Sequence, residues 1–147
     1  AVLVPIVYAV IYGIVRLIIG APDLTVAWAA YIPEAELAGL EGAASAVGVL
    51  LGAGIGLLLE SSRIRFRSQG DIGRRIGRYV LGMAVAIALW AGLDAIFPSD
   101  PLWLAVPLRI LRYFLVGIWI TYYAPLVFVR FKLADAKPKP GIDLTIA

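Results

Sequence analysis

Four stretches of this chain, residues 1–20, 36–60, 76–97 and 102–131, are long and apolar enough to cross a bilayer. About 20 mostly apolar residues in a helix span its hydrocarbon core. A soluble fold would leave such segments uncovered, because only 16% of the residues are charged and 62% are hydrophobic. Soluble domains are roughly half apolar and about one-quarter charged. The expected fold is therefore all-α: a polytopic transmembrane bundle of four spans over residues 1–133, followed by a tail, residues 134–147.

Punctuation supports these limits. Gly20, Ala21 and Pro22 close the first span, and Pro98 ends the third. Pro107 and Pro125 are predicted to kink the fourth. Residues 23–34, DLTVAWAAYIPE, are too short to cross and read as an interfacial helix or as a loop packed on the bundle. Asp23 would cap such a helix, and Trp28 and Tyr31 suit the headgroup level. The first span has no basic n-region and no small-residue cleavage site, so it is not read as a signal peptide. The chain opens on Ala rather than Met, which predicts processing or a longer polypeptide.

Positive charge gives the orientation. Arg63, Arg65, Arg67, Arg74, Arg75 and Arg78 all fall between spans two and three. Arg130, Lys132, Lys137 and Lys139 follow span four. The other two connections hold no Lys or Arg and carry Asp23, Glu34, Glu36 and Asp100 instead. Basic loops stay cytoplasmic, so both termini are expected inside a cell membrane. The same six arginines are expected to touch an anionic leaflet, each contributing about 1 kcal/mol. RIRFR, residues 63–67, alternates charged and apolar side chains and suits an extended strand. A cluster tethered between two spans is no nucleic-acid reader, and none is expected as a partner.

Helix packing in lipid relies on small residues, since apolar exclusion is weak there. Ala44, Gly48, Gly52 and Gly56 recur every four residues in span two, and Ala84, Ala88 and Gly92 do so in span three. The two stripes are expected to face each other or span four. A homodimer seam is the alternative.

Ionisable residues inside spans are paired or functional. Arg16, Glu41, Asp94, Arg109 and Arg112 all lie toward the non-cytoplasmic side. One expectation is ion pairing: Asp94 with Arg109 or Arg112, and Glu41 with Arg16. The other is an anion or lipid-headgroup site built from Arg109, Arg112 and Arg16. A proton path would need acids through the full depth. The aromatic run of residues 113–128, with Trp119 at mid-membrane, reads as packing rather than a cofactor box.

The chain contains no histidine and no cysteine. That removes imidazole and thiol chemistry and their metal sites. No cofactor, metal or catalytic residue is expected.

GAGIGLLLESSRIRF (52–66), RRIGRYVLGMAVAIALWAGLDAIFP (74–98) and LRILRYFLVGIWITYYAPLVFVRF (108–131) together resemble a C-terminal membrane extension. It is found in some prokaryotic type-2 phosphatidic acid phosphatase superfamily proteins, the lipid phosphate phosphatases. The resemblance spans roughly residues 48–131. It implies a membrane-helix module beside an enzyme that cleaves lipid phosphoesters through a histidine nucleophile and a histidine acid. This chain lacks the histidines, a Pro-Ser-Gly block and an Arg-Pro pair. VRLIIGAPD (15–23) echoes one catalytic block through Arg16, Gly20 and Asp23, at a different spacing and with Pro22 at the histidine's place. No catalytic residue carries over.

Two functions follow as expectations. The first is a non-catalytic accessory or scaffolding subunit of a larger membrane assembly, with membrane lipids and protein partners. The alternative is the C-terminal membrane half of a lipid phosphate phosphatase. A transporter or channel lacks a polar stripe through the full depth.

Overall fold

The computed structural model describes residues 3–20, 25–27, 29–64, 66–67, 71–98 and 100–136. Asp23 and Trp28, Arg65, and the tail beyond residue 136 with Lys137 and Lys139 lie outside them. Helix α1 is Leu3–Ile19. A short 3-10 turn, Ala29–Tyr31, leads into α2, Ile32–Leu59, which a turn of π-helix extends over Glu60–Ile64. The strand β1, Phe66–Arg67, precedes α3, Ile72–Ile96. Next come α4, Leu102–Ile118, a second π-helical turn, Trp119–Tyr123, and α5, Ala124–Arg130. The strand β2, Asp135–Ala136, completes the order.

Three of these rods are long and apolar enough to cross a membrane: Ala29–Ile64, Ile72–Ile96 and Leu102–Arg130. The chain is thus an integral membrane protein of the all-α class. Helix α1, with 17 residues, is shorter, about 26 Å against a core of about 30 Å. The segment expected as a separate interfacial helix is different in part. Among its described residues, only the 3-10 turn stands apart, and α2 begins at Ile32, ahead of the predicted residue 36. Pro33 explains that start, since proline suits the first helical turn, where an N–H has no partner.

Local chemistry fixes the other ends. The Asp71 carboxylate caps α3 by accepting from the Gly73 N–H at 3.2 Å. Phe97 is extended, at φ −82° and ψ 130°, as a residue before proline prefers. Pro125 donates no hydrogen bond, and the turn before it widens. There the Ala124 N–H bonds the Trp119 carbonyl five residues back. A π-turn thus stands just before Pro125, whereas Pro107 sits inside α4 without ending it.

After α5 the chain reverses in a Schellman motif. Lys132 adopts a left-handed φ of 56°. The Leu133 N–H reaches the Phe128 carbonyl at 2.8 Å, and the Lys132 N–H reaches that of Val129 at 3.1 Å. Leu133 then packs on Phe128 in a small core with Ala124 and Ala134. The reversal brings β2 antiparallel to β1, with Phe66 opposite Ala136 and Arg67 opposite Asp135. Ala134, the first residue of the tail, is buried at 5% exposure.

The centre of the bundle is the contact of α2 with α4. A Cβ added at Gly48 would meet the Ile110 carbonyl oxygen, one at Gly52 that of Phe114, and one at Gly56 the Thr121 hydroxyl. From the other side, a Cβ at Gly117 would lie 2.8 Å from the Val49 carbonyl oxygen. Ala44 is buried on the same side of α2. Of the two partners offered by the sequence, the α2 stripe takes span four. The α3 stripe does not join it: Ala84, Ala88 and Gly92 are exposed, and a Cβ at Gly92 would meet nothing within 4 Å.

Candidate functional site

The ionisable residues gather where α2, α3 and α4 meet, at the end of the bundle away from the arginine-rich connection. Helix α2 contributes Glu41 and Ser45, α3 contributes Trp90 and Asp94, and α4 contributes Arg109, Arg112 and Tyr113. Arg109 and Arg112, three residues apart, diverge to different neighbours. Arg109 Nη1 lies 3.0 Å from Glu41 Oε1, and its Nε donates to Ser45 Oγ at 3.2 Å. Ser45 in turn donates to the Glu41 carbonyl at 2.8 Å. Arg112 pairs with Asp94 on α3.

The two pairs differ in burial. The Arg112 side chain is 7% exposed, whereas that of Asp94 is 60% exposed. The guanidinium of Arg112 sits 5.1 Å from the Tyr113 ring centre and 5.8 Å from that of Trp90. The Trp90 indole N–H donates to the Tyr113 hydroxyl at 3.3 Å. Cation–π contact thus offsets some of the lost hydration of Arg112, although its buried Nε has no hydrogen-bond partner.

Arg16 stands apart from this cluster. It bonds Glu36 at 2.9 Å across the α1–α2 hairpin, so the expected Arg16–Glu41 pair is corrected. Glu41 lies five residues beyond Glu36, about 140° further round the helix. The antiparallel register that sets Tyr12 beside Gly39 puts Glu36 within reach of Arg16.

The cluster has two cations and two anions around a cavity of about 70 Å³, lined also by Phe97, Pro98 and Ala105. A water needs about 10–15 Å³ of such space, so the cavity has room for ordered water among the four charges. Of the three arginines expected as an anion clamp, each holds an ion pair, Arg109 with Glu41, Arg112 with Asp94 and Arg16 with Glu36, and only Arg109 and Arg112 share a cavity. What the arrangement does chemically is join three helices through matched charge in a weakly polar medium.

At the opposite end, Arg63, Arg74 and Arg75 are exposed, as a leaflet-contacting set requires. Arg67 lies in β1, and Arg65 is outside the described residues. Arg78 departs from the set: it is buried, at 7% exposure, because its position on α3 turns it toward α5.

Sequence reasoning missed the Trp119 contact. Its indole N–H donates to the Gly82 carbonyl at 3.2 Å and ties the π-turn to α3. Two signals were available: a glycine at position 82 amid larger side chains, and an indole donor that in lipid needs an acceptor. Gly117 was missed in the same way, as a lone glycine in α4.

The rods and their polar tie define a helical membrane module. Residues 44–136, more than half of the chain, match the PAP2 superfamily phosphatase transmembrane extension, and the chain belongs to that family. The match takes in most of α2 and everything from β1 to β2. No curated protein and no solved structure matches the chain.

Proposed function

We propose that this chain is a non-catalytic module of the cell membrane that braces a PAP2-type phosphatase catalytic unit as its accessory or scaffolding subunit. The carrying observation is the family match over residues 44–136 in a chain with no histidine. The rigid α2–α4 pair suits a brace. The exposed outer side of α3, with Ala84, Ala88 and Gly92, is the face offered to the catalytic unit. In the second reading, favoured by the family's description as an extension, the module is the membrane half of the phosphatase itself.

A photo-crosslinking residue at Ala88, activated in the source membrane, tests both. The subunit reading expects an adduct to a separate polypeptide bearing a Pro-Ser-Gly-His block. The second expects that block within the same polypeptide. Adducts to lipid alone, or phosphatidate hydrolysis by the purified chain, overturn the proposal.

The orientation belongs to the same proposal: a multi-pass protein with the arginine connection and both ends of the chain in the cytoplasm. Because the chain has no cysteine, single-cysteine variants report it directly. Asp100→Cys is expected to react with an impermeant maleimide on intact cells, and Ser62→Cys only after permeabilisation. The reverse pattern inverts the topology.

A further inference from the structure

Two open clefts, of about 300 and 590 Å³, flank the α1–α2 hairpin. Tyr12, Arg16 and Glu36 line both, so the Arg16–Glu36 bond stands at the margin of each. The floor of the larger cleft is one face of α2. Pro33, Glu36, Leu37 and Leu40 contribute to it at helical intervals of three and four, a run of about 10 Å. Gly13 keeps the α1 wall open, since a Cβ there would meet nothing within 4 Å. This lining is accessible from the lipid: Gly13, Pro33, Leu37 and Leu102 are all exposed.

Depth and charge narrow the occupant. Arg16 lies three residues before the end of α1, and Glu36 four after the start of α2. Each is about 5 Å from its helix end, near the headgroup level of that leaflet. Both side chains are partly open, at 45% and 34% exposure. Their bond joins one N–H of Arg16 to one oxygen of Glu36, out of five N–H donors and two carboxylate oxygens. Glu34, exposed in the first turn of α2, sets two carboxylates against one guanidinium among the described residues here. That balance opposes an anionic headgroup. A partner helix laid into the cleft would have to strip water from the pair. A headgroup carrying both a phosphate and an ammonium answers both signs.

We propose that the larger cleft binds an ethanolamine phospholipid from the adjoining leaflet. The lipid phosphate accepts from the remaining N–H groups of Arg16, and the primary ammonium donates to the Glu36 carboxylate. An acyl chain follows Leu37 and Leu40 toward the hydrocarbon. A trimethylated ammonium has no N–H to donate, so the same site discriminates against choline lipids. This inference is independent of any catalytic partner.

Native mass spectrometry of the detergent-purified chain tests it, with phosphatidylethanolamine, phosphatidylcholine and phosphatidylglycerol of matched acyl chains. The wild type is expected to retain the ethanolamine lipid about fivefold or more over either of the others, the factor for one hydrogen bond of ordinary net strength. Glu36→Gln is expected to lower that preference and, by leaving Arg16 without its countercharge, to raise phosphatidylglycerol at the ethanolamine lipid's expense. Gly13→Trp, which fills the cleft from its open wall, is expected to reduce the ethanolamine adduct while circular dichroism stays unchanged. Should Glu36→Gln fail to fold, Gly13→Trp reads the cleft by itself. Equal retention of the three lipids by the wild type, or a preference for phosphatidylcholine or phosphatidylglycerol, overturns the proposal. So do unchanged adducts in either folded variant, or a photo-crosslinker at Leu37 that captures a protein rather than a lipid in the source membrane.

Discussion

Helices α2 and α3 carry the same kind of motif and use it differently. In α2, Gly48, Gly52 and Gly56 meet the backbone or a hydroxyl of the α4 rod so closely that no side chain fits. In α3, Ala84, Ala88 and Gly92 repeat at the same spacing and face outward. Helix α3 is held instead by polar ties: Asp94 to Arg112, Trp90 to the Tyr113 hydroxyl and Trp119 to the Gly82 carbonyl. Small residues permit close approach, but lipid offers little drive to achieve it. What separates the helices is the partner. Around Gly52, α4 presents an answering glycine, Gly117, whose own missing Cβ lets the backbones interlock.

The largest effect that breaks this comparison is expected from Gly52→Leu. Its side chain must displace the α4 backbone, costing more than about 3 kcal/mol and separating α2 from α4. Gly92→Leu, the matching change on α3, is expected to stay within about 0.5 kcal/mol. Denaturation in mixed detergent micelles, followed by helix content, checks both. Comparable losses in the two variants would mean that α3 is packed as tightly as α2.

Asp94→Asn comes next, because it leaves the buried Arg112 without its countercharge. A hydrogen bond to a charged group contributes about 1.5–3 kcal/mol, and the exposure of Asp94 puts the expected loss near the lower figure. The same micelle assay reads it, and loosening should be confined to α3. Trp119→Phe removes the indole donor, for which membrane hydrogen bonds average about 0.6 kcal/mol. Its expected signature is faster amide exchange around residue 82. Smallest of all, and of opposite sign, Lys132→Gly relieves a left-handed backbone at a non-glycine residue. A gain of about 0.5 kcal/mol is expected, read as a small rise in unfolding midpoint.

Much of this was legible in the sequence for one reason: lipid demands long apolar helices and close glycine contacts. Those demands write themselves into local spacing, so the three long rods, the α2 stripe and the Pro125 disturbance could be read directly. Pairing could not. The five charges at the end away from the arginine-rich connection were identifiable, but Glu36 took Arg16 and left Glu41 to Arg109, because helix rotation decides which carboxylate faces which guanidinium. A stripe likewise states a spacing without naming a neighbour, which is why α3 misled. Arg78 was grouped with its arginine neighbours by sequence, whereas α3's rotation turned it inward.

The two-residue ladder between β1 and β2 closes a circuit. The α2 and α4–α5 rods are joined by the Glu41–Arg109 pair at one end, by interlocked glycines in the middle and by the ladder at the other. A piston-like displacement of one rod past the other would have to undo all three together. Mechanically, the pair behaves as one stave. Responses to bilayer thickness or to a bound neighbour are then left to the rotation and tilt of α1 and α3.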